Sequence, residues 1–407
     1  MRYSSSYREV FPENPFYMVG YASEIRKKPA LGVVDVPNLV GTMLEVENEI
    51  FLFVSYDVCI LKTEQVDEIK SLIMNKFGNI KRDNITLTSI HTHSGPDGLG
   101  MSYPDPHPNI KYLNKVKNET VSCISEMLNS LQEVEVYFGK GKCTGYYNNR
   151  NDAIKPYDDE LTVIQFKSKE QIIGAMVSVS CHSTVLGEKN RYCTYDLLGS
   201  IRELMKRDLG VMPYVFMSSA GDVSNRNFRQ GNDFNELKRV SNGVYDQIKS
   251  IQVDKEIVLS NPSIEIIDHR ICYNNKKYFE LYEKQLKDVN EVLKLTENPL
   301  VIKLKESEKK KLEIKLTKDK VDFHVISKVI KLGDLSIITF PGELVSKFGI
   351  ELKDKAPGKC SILMTCADNH LGYFVEKEYY WTIYETIASY IPKGEVEKIV
   401  EEIKEKL

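Results

Sequence analysis

Four apolar segments of this sequence have the composition of β-strands and end directly in polar residues. The first is ITLTSI at residues 85–90, and the letters HTHSGP follow it at residues 91–96. Residues two apart on a strand face the same side of a sheet, and the Gly-Pro pair favours a turn. We therefore predict that the imidazoles of His91 and His93 project together where the chain leaves the sheet.

Three later segments repeat this design. AMVSVSCHS reaches His182, YVFMSSAGDVSN leads into an Asp-Val-Ser turn, and LSIITFPGEL turns at Pro-Gly and presents Glu343. Because sites in α/β folds lie at strand ends, we expect these side chains to converge on one edge of the sheet. Imidazole nitrogens and a carboxylate oxygen suit Zn²⁺, and a coordination position left to water makes such a site catalytic. Candidate ligands are His91, His182 and Glu343, with His93 beside them.

The rest of the chain alternates between helical and strand periodicity, which indicates a mixed α/β fold. Helical patterns fall at residues 63–77, 109–131, 196–209, 234–251 and 394–407, and strand patterns at residues 43–58, 161–166, 172–180, 214–217 and 321–340. Residues 278–320 are rich in Lys, Glu and Leu, which predicts a charged helical excursion with a solvated face. We expect a single large catalytic domain over residues 1–407, with a mixed sheet flanked by helices.

Composition argues against several classes of protein. The net charge is −3 and the basic residues are spread along the chain, which is not the footprint of a nucleic-acid or anionic-membrane binder. No apolar run approaches the roughly 20 residues of a transmembrane helix, and the N-terminus has no signal-peptide core. None of the eight cysteines forms a Cys-x-x-Cys pair, which is typical of reduced thiols. We therefore expect a cytoplasmic protein.

Single residues of this set also have ordinary structural interpretations. His182 alone could be a core histidine, Glu343 could cap the helix after Pro-Gly, and Asp222 and Ser224 could form a simple turn. No role is assigned to His107, which lies in a Pro-rich loop pattern, or to His269, His324 and His370, which have no motif context.

Taken together and in this order, the motifs resemble the neutral/alkaline ceramidase family, specifically its N-terminal catalytic domain. The likeness runs from about residue 18 to residue 389, and the signature HTHSGP is intact at residues 91–96. Asn149-Arg150 before an acid-led strand, GDVS at residues 221–224, PGE at residues 341–343 and the Tyr-rich segment at residues 373–385 are also similar to family motifs.

The family consists of zinc amidases that hydrolyse the N-acyl bond of ceramide to a sphingoid base and a fatty acid. The resemblance implies that Zn²⁺ would be held by His91, His182, Glu343 and Tyr373. It implies catalytic neighbours at His93, Arg150, Ser224 and Tyr384. The predicted substrate is therefore a ceramide-like lipid or another N-acyl small molecule, attacked by water that the metal activates.

Within that reaction, the predicted role of His93 is to move a proton and that of Arg150 is to stabilise the oxyanion. A second version makes Ser224 the nucleophile, with Asp222 nearby and an acyl-enzyme as intermediate. Alternative functions are hydrolysis of a different N-acyl amide or of a lipid ester, and a catalytically silent metal-binding homologue. A phosphoesterase-like hydrolase is a further alternative, and it predicts a second metal roughly 3.5–4 Å from the first.

Four departures from the family pattern bear on this interpretation. Asn225 and Arg226 stand where the family has Pro-Asn after GDVS, and the Tyr-rich motif is one residue shorter, which affects the assignment of Tyr384. We expect no C-terminal immunoglobulin-like domain, because the chain ends soon after the Tyr-rich motif. Many members are secreted or membrane-bound, whereas this N-terminus carries no signal.

Overall fold

The computed structural model describes residues 1–21, 23–99 and 109–407, so the loop predicted around His107 lies outside the described residues. The predicted mixed α/β fold is confirmed. The helices of the described residues are α1 (Thr63–Lys76), α2 (Ile110–Asn129), α3 (Asp196–Leu209), α4 (Phe234–Lys249), α5 (Phe279–Leu295), α6 (Pro299–Leu316), α7 (Ser346–Lys355), α8 (Tyr384–Ala388) and α9 (Glu395–Lys406).

The strands of the described residues are β1 (Arg2–Glu9), β2 (Gly32–Val33), β3 (Asn38–Val46), β4 (Glu49–Tyr56), β5 (Ile85–Ser89), β6 (Gln132–Glu133), β7 (Glu135–Lys142), β8 (Asn148–Asn149), β9 (Glu160–Ser168), β10 (Gln171–Val179), β11 (Tyr192–Cys193), β12 (Tyr214–Met217), β13 (Val223–Ser224), β14 (Lys255–Ile257), β15 (Ser263–Asn274), β16 (Lys320–Leu332), β17 (Leu335–Thr339), β18 (Glu343–Leu344), β19 (Cys360–Met364) and β20 (Tyr373–Phe374). The five helices predicted outside the charged excursion are present, with ends within two residues of the predicted ones.

Three sheets share one plan. Their strand orders are β5-β4-β3-β1-β6, β12-β10-β9-β7-β14 and β15-β16-β17-β19. In each sheet a helix connects two parallel neighbours: β4-α1-β5, β10-α3-β12 and β17-α7-β19. The remaining neighbours within these sheets are antiparallel. We predicted one mixed sheet, whereas the described residues form these three larger mixed sheets and three two-stranded ones, because periodicity identifies strands but not their partners.

The inner faces of the three sheets meet in one core, and helices cover their outer faces. Tyr3, Phe53, Phe166, Tyr214 and Ile337 are fully buried members of that core. Helices α1 and α2 pack on the first sheet, α3 and α4 on the second, and α7 and α9 on the third. Strands buried on both faces require apolar side chains throughout, so polar functional groups are left to the strand ends.

Residues 278–320 form the predicted helical excursion, as the contacting helices α5 and α6. The expectation of a solvated face is wrong for one side of α6, where Glu308 is only 3% and Lys315 only 1% exposed. Leu312 on the same helix is buried with Ile387 of α8. Helix α6 packs on α8 although its amphipathic pattern is weak and its charges are many, because long Lys stems can cover apolar surface.

The eight cysteines are unpaired, and Cys272 is the exposed one among them. Packing rather than a disulfide framework therefore holds the sheets together. Across the described ranges, no helix is at once long enough and apolar enough to cross a bilayer.

Candidate active site

The C-terminal ends of the parallel strand pairs bring three predicted ligands together. His91 follows β5, His182 follows β10, and Glu343 begins β18 shortly after β17. Oε2 of Glu343 lies 2.6 Å from Nε2 of His182 and 3.5 Å from Nε2 of His91. The three side chains are buried, and their ligand atoms lie within 4.8 Å of one another. The convergence expected from the strand ends is therefore present in the structure.

His91 and His93 meet, but not by alternation along a strand. β5 ends at Ser89, and His91 has a φ of 56°, outside the extended region. The two Nε2 atoms are nevertheless 3.1 Å apart. Neighbouring segments hold this turn, because Arg26 donates from Nη1 to the His93 carbonyl at 2.9 Å and a Cβ on Gly20 would lie 2.4 Å from His93 Cγ. The predicted pairing of the imidazoles is found, whereas the predicted reason for it is wrong.

Hydrogen bonds to two backbone carbonyls fix which ring nitrogen of the ligand histidines carries the proton. Nδ1 of His91 lies 2.8 Å from the Cys59 carbonyl, and Nδ1 of His182 lies 3.0 Å from the Val223 carbonyl. A carbonyl oxygen only accepts, so both Nδ1 atoms donate and both Nε2 atoms present lone pairs. These lone pairs face the Glu343 carboxylate, which also only accepts. The cluster therefore requires a positive charge, either a proton or a metal ion, between its acceptor atoms.

The pKa shifts agree with that requirement. Burial lowers the pKa of His91, but the Glu343 carboxylate together with Cys59 and Cys366 outweighs it, and the pKa lies well above its ordinary value. Burial raises the pKa of Glu343, but the interactions with His91 and His182 and the hydrogen bond from His370 together bring it well below its ordinary value. Burial holds the pKa of His93 well below its usual range, and burial with the Arg150 charge lowers the pKa of His182 to about 4. One positive charge is thus favoured beside Glu343, while the other imidazoles stay neutral.

Arg150 lies at the edge of this cluster, one residue beyond β8. Its Nε donates to Oε1 of Glu385 at 2.6 Å, and its Nη1 lies 3.3 Å from Nε2 of His182. Asn151 donates to the other oxygen of Glu385 at 3.1 Å, which fixes that carboxylate. The Nη2 atom of Arg150 is buried and has no hydrogen-bond partner among the described residues. A guanidinium that is held on one side thus keeps a free donor on the other.

Tyr373 and Tyr384, the first and last of the four tyrosines in the Tyr-rich segment, lie close to each other at the site. Tyr373 is the register partner of Glu343 in the parallel pair β18–β20, and its ring is stacked at 6.4 Å from that of His182. Burial raises the pKa of Tyr373 well above its ordinary value. Tyr384 begins α8, with its ring centroid 6.1 Å from that of Tyr373, and Ser307 donates to its hydroxyl at 3.1 Å. Both side chains therefore lie beside the cluster.

Asp222 and Ser224 are held by different partners. Oδ1 of Asp222 accepts from the amide and the hydroxyl of Ser346 at 2.8 and 2.7 Å, and Oδ2 accepts from Asn149 at 2.8 Å. The Ser224 hydroxyl accepts from the Arg226 amide at 3.3 Å. Among the described residues, no hydrogen bond joins Asp222 to Ser224. Asp222 therefore ties the segment before Arg150 to the start of α7.

His370, to which the sequence assigned no role, also contacts the cluster. Its Nε2 lies 2.9 Å from Oε1 of Glu343, and its ring is stacked on His91 at 5.4 Å. The carboxylate only accepts, so His370 donates and leaves Oε2 facing the other histidines. A signal was available: His370 follows β19, the parallel neighbour of β17, and the ends of parallel neighbours share one edge.

Two thiols also lie close to His91. Cys59 forms a possible ligand group with His91 and His93, and Cys366 forms another with His91 and His370. Burial raises the pKa of Cys366, which disfavours the thiolate form in which cysteine binds metals. The group of two imidazoles and one carboxylate remains the one best suited to a metal.

A cavity of about 360 Å³ is lined in part by the Asn149–Asn151 segment. Asn149, Asn151 and Asp222 contribute to its wall, together with Lys155 and Tyr379. Of the described residues that line it, none is a predicted metal ligand. This cavity is therefore separate from the cluster around Glu343.

Residues 18–215 match the model of the neutral/alkaline non-lysosomal ceramidase N-terminal domain. Among solved structures, the neutral ceramidase from Pseudomonas aeruginosa is similar, with a TM-score of 0.75, 16% identity and coverage of 100% of this chain and 75% of that one. A ceramidase complexed with C2 has the same TM-score at 15% identity, with coverage of 98% and 73%. The structural similarities concern the fold, and the matched segment spans just under half of the chain, so the chain is similar to the neutral/alkaline non-lysosomal ceramidases in fold and, over residues 18–215, in sequence.

Proposed function

We propose that this protein is a zinc-dependent amide hydrolase that cleaves the N-acyl bond of ceramide-like lipids to a sphingoid base and a fatty acid. One observation carries the proposal: Nε2 of His91, Nε2 of His182 and Oε2 of Glu343 face one another as acceptors, within 3.5 Å of the shared oxygen. The match of residues 18–215 to the ceramidase N-terminal domain supports the choice of an N-acyl lipid as substrate.

The donor set fits Zn²⁺. Two neutral imidazoles and one carboxylate are a common zinc ligand set, and hydrogen bonds from their outer nitrogens orient such imidazoles. Tyr373, in register with Glu343, is the proposed fourth protein ligand, and His370 would fix the carboxylate through Oε1. A zinc ion held there supplies a Lewis acid and lowers the pKa of a bound water to about 7.

Two residues of the chain, His93 and Arg150, would carry out the proton transfer and the stabilisation of the oxyanion. His93 is neutral, because burial lowers its pKa, and its Nε2 lies 3.1 Å from that of His91. In this position it can accept a proton from the attacking water and return it to the leaving amine. Arg150 holds a free Nη2 donor beside His182, and a pre-oriented guanidinium stabilises the oxyanion of a tetrahedral intermediate.

Attack by water is preferred over attack by Ser224. A serine nucleophile needs a hydrogen-bonded base, and among the described residues the Ser224 hydroxyl bonds to the Arg226 amide rather than to a base. Both oxygens of Asp222 are held elsewhere. Rapid-quench kinetics should therefore show no burst of acyl-enzyme, and a burst equal to the enzyme concentration would contradict attack by water.

Metal dependence and turnover test the proposal together. We expect the zinc-loaded protein to hydrolyse ceramide and a fluorogenic N-acyl amide, a chelator to abolish both activities, and added Zn²⁺ to restore them. Native mass spectrometry should find one zinc per chain. His182→Gln should lose zinc and activity, whereas the matched variant His324→Gln, at a half-exposed histidine on the third sheet, should keep both.

The outcomes separate the alternatives. Zinc binding without turnover of either substrate would identify a catalytically silent homologue. Two metals per chain, with turnover of phosphoesters, would instead identify a phosphoesterase-like hydrolase.

A further inference from the structure

The turn that carries His370, residues 365–372 after β19, is bonded to two segments that supply proposed metal ligands. Its Cys366 carbonyl accepts from the amide of Ser89, the last residue of β5, at 3.3 Å. Its last carbonyl accepts from the amide of Glu343 at 2.8 Å. Because β5 leads directly into the first of the ligand histidines, this turn joins the strand before one ligand to the backbone of another.

Hydrogen bonds and ion pairs hold the middle of this turn in place. The amide of Asp368 donates to the Leu87 carbonyl at 2.7 Å, and the Asp368 carboxylate accepts from the Leu87 amide at 2.9 Å. The other carboxylate oxygen lies 2.9 Å from the ammonium group of Lys70 and 2.8 Å from that of Lys328. His370, two residues later, therefore stands on a segment that is fastened to β5.

From this turn the side chain of His370 contacts two of the proposed ligands. Its Nε2 lies 2.9 Å from Oε1 of Glu343, and its ring is stacked on that of His91, with 5.4 Å between the centroids and 21° between the planes. A carboxylate oxygen only accepts, so Nε2 of His370 donates. In this arrangement that nitrogen carries a hydrogen and has no lone pair to offer a metal ion.

The two oxygens of Glu343 thereby have different environments. Oε1 accepts from His370, whereas Oε2 lies 2.6 Å from Nε2 of His182 and 3.5 Å from Nε2 of His91. Carboxylates can bind cations through one oxygen or through both. With four protein ligands already proposed, a second oxygen from Glu343 would take the position that a catalytic zinc site keeps for water or substrate.

We propose that His370 is a positioning residue of the zinc site, which holds Oε1 of Glu343 and the ring of His91 so that Glu343 offers the metal one oxygen. This inference rests on the proposed function, because it concerns the zinc ion assigned there. The ligand set that the family resemblance implies does not include His370. Residues that hydrogen-bond to metal ligands typically contribute roughly 10–100-fold to metal affinity.

The zinc affinity of the metal-free protein tests this role independently of turnover. Zinc is titrated in competition with a chromophoric chelator into the parent, His370→Gln and His370→Leu. The Gln amide can donate to Oε1 of Glu343 in place of the imidazole, whereas Leu fills the space without a donor. We expect His370→Leu to bind zinc roughly 10–100-fold more weakly than the parent, and His370→Gln to recover most of this loss.

Two further measurements support the comparison. The absorption spectrum of the cobalt-substituted protein reports the ligands of the metal, and it should change in His370→Leu but stay close to that of the parent in His370→Gln. His324→Leu, at a half-exposed histidine of the third sheet, is the matched control and should bind zinc as the parent does. Thermal unfolding of the metal-free proteins shows whether each variant is folded, and His370→Ala replaces His370→Leu if that variant is not.

Failure of this inference is distinguishable from failure of the proposed function. Parental zinc affinity in both His370 variants would reduce His370 to a packing role, and equal losses in both would make it a ligand. Either result overturns the inference and leaves the hydrolase intact. If the parent binds zinc but hydrolyses no N-acyl substrate, the proposed function fails, while the affinities of the variants still decide the role of His370. A parent that binds no zinc would overturn both.

Discussion

Two buried polar clusters of this protein are built on opposite principles. Around Asp158, every oxygen of the carboxylate faces donors: Lys353 Nζ at 2.8 and 3.0 Å and Ser180 Oγ at 2.8 Å. Around Glu343, Oε2 lies 2.6 Å from Nε2 of His182, and this nitrogen presents a lone pair rather than a hydrogen. Each carboxylate is almost fully buried. The donors of the folded chain satisfy the first cluster, whereas the second needs a positive charge, either a proton or a metal ion, between its acceptor atoms.

This difference distinguishes buried polar groups that stabilise the fold from buried polar groups arranged to bind an ion. A buried carboxylate oxygen that faces other acceptors, as Oε2 of Glu343 does, costs free energy, and a fold tolerates that cost where a bound ion offsets it. The Asp158 cluster links β9 to α7 through Lys353, whereas the Glu343 cluster gathers the ends of all three sheets. The predictions below change one cluster or the other and compare the results.

The largest effect is expected from Glu343→Gln. The amide replaces one acceptor oxygen by a donor, which can bond to Nε2 of His182 and so satisfy the cluster without a metal. We expect kcat/KM to fall on the order of 10³-fold, because several kcal/mol of metal-dependent transition-state stabilisation are lost. Zinc content should fall, and the melting temperature of the metal-free protein should be equal or higher. If the variant keeps its zinc and its activity stays within tenfold of the parent, Glu343 is not a required metal ligand and the contrast with Asp158 fails.

Lys353→Met should have the opposite profile. Removing this cation leaves Asp158 buried without its charge partner, and breaking a buried pair in this way typically costs about 3–5 kcal/mol. Urea unfolding should therefore show a lower midpoint, while the zinc content of the folded protein stays the same. The matched control is Lys359→Met, since that lysine pairs with Asp334 at the surface, where its side chain is 60% exposed, and its loss should cost under about 1 kcal/mol. Equal stability losses for the two variants would contradict the assignment.

The sequence predicted the elements of this fold better than their assembly. Long amphipathic helices such as α1 and α3 begin where their periodicity begins, because local patterning determines them. The strand β1 was not predicted, since RYSSSYRE alternates weakly, and it gains its structure from pairing with β3 along its whole length. Which strands form which sheet depends on contacts far apart in the chain, and periodicity does not contain them.

The candidate site also contains some residues that local sequence predicts and others that depend on tertiary contacts. His91, His182 and Glu343 were predicted because each follows an apolar strand, and the shared edge of parallel strands brings such residues together. Tyr373 came from the family resemblance alone, since nothing local marks a tyrosine as a ligand. His370 was missed, because it lies six residues beyond β19 and only the pairing of β19 with β17 brings it to Glu343. Tertiary pairing, not local sequence, selects these last members.

Two buried lysines, Lys353 and Lys315, extend the comparison to a smaller expected change in stability. Burial lowers the pKa of Lys353, but the charges of Asp158 and Glu160 outweigh it and raise that pKa. Lys315 on α6 has no hydrogen-bond partner among the described residues. Its Nζ lies 5.3 Å from the ring centroids of Tyr282 and Trp381 and 5.6 Å from that of Tyr390. Burial and the nearby Lys311 lower its pKa to about 7.

Lys315→Met should therefore stabilise the protein on the order of 1 kcal/mol at pH 7, whereas Lys353→Met should destabilise it. Between about pH 7 and the ordinary lysine pKa of about 10.4, the unfolded chain binds a proton that the folded chain does not, so the parent gains stability as pH rises. The gap between variant and parent should shrink over that window. Melting temperatures at pH 7, 8 and 9 measure it, with Lys287→Met as the exposed control. A variant less stable than the parent, or a gap independent of pH, would mean that the three rings compensate the ammonium group as fully as the carboxylates compensate Lys353.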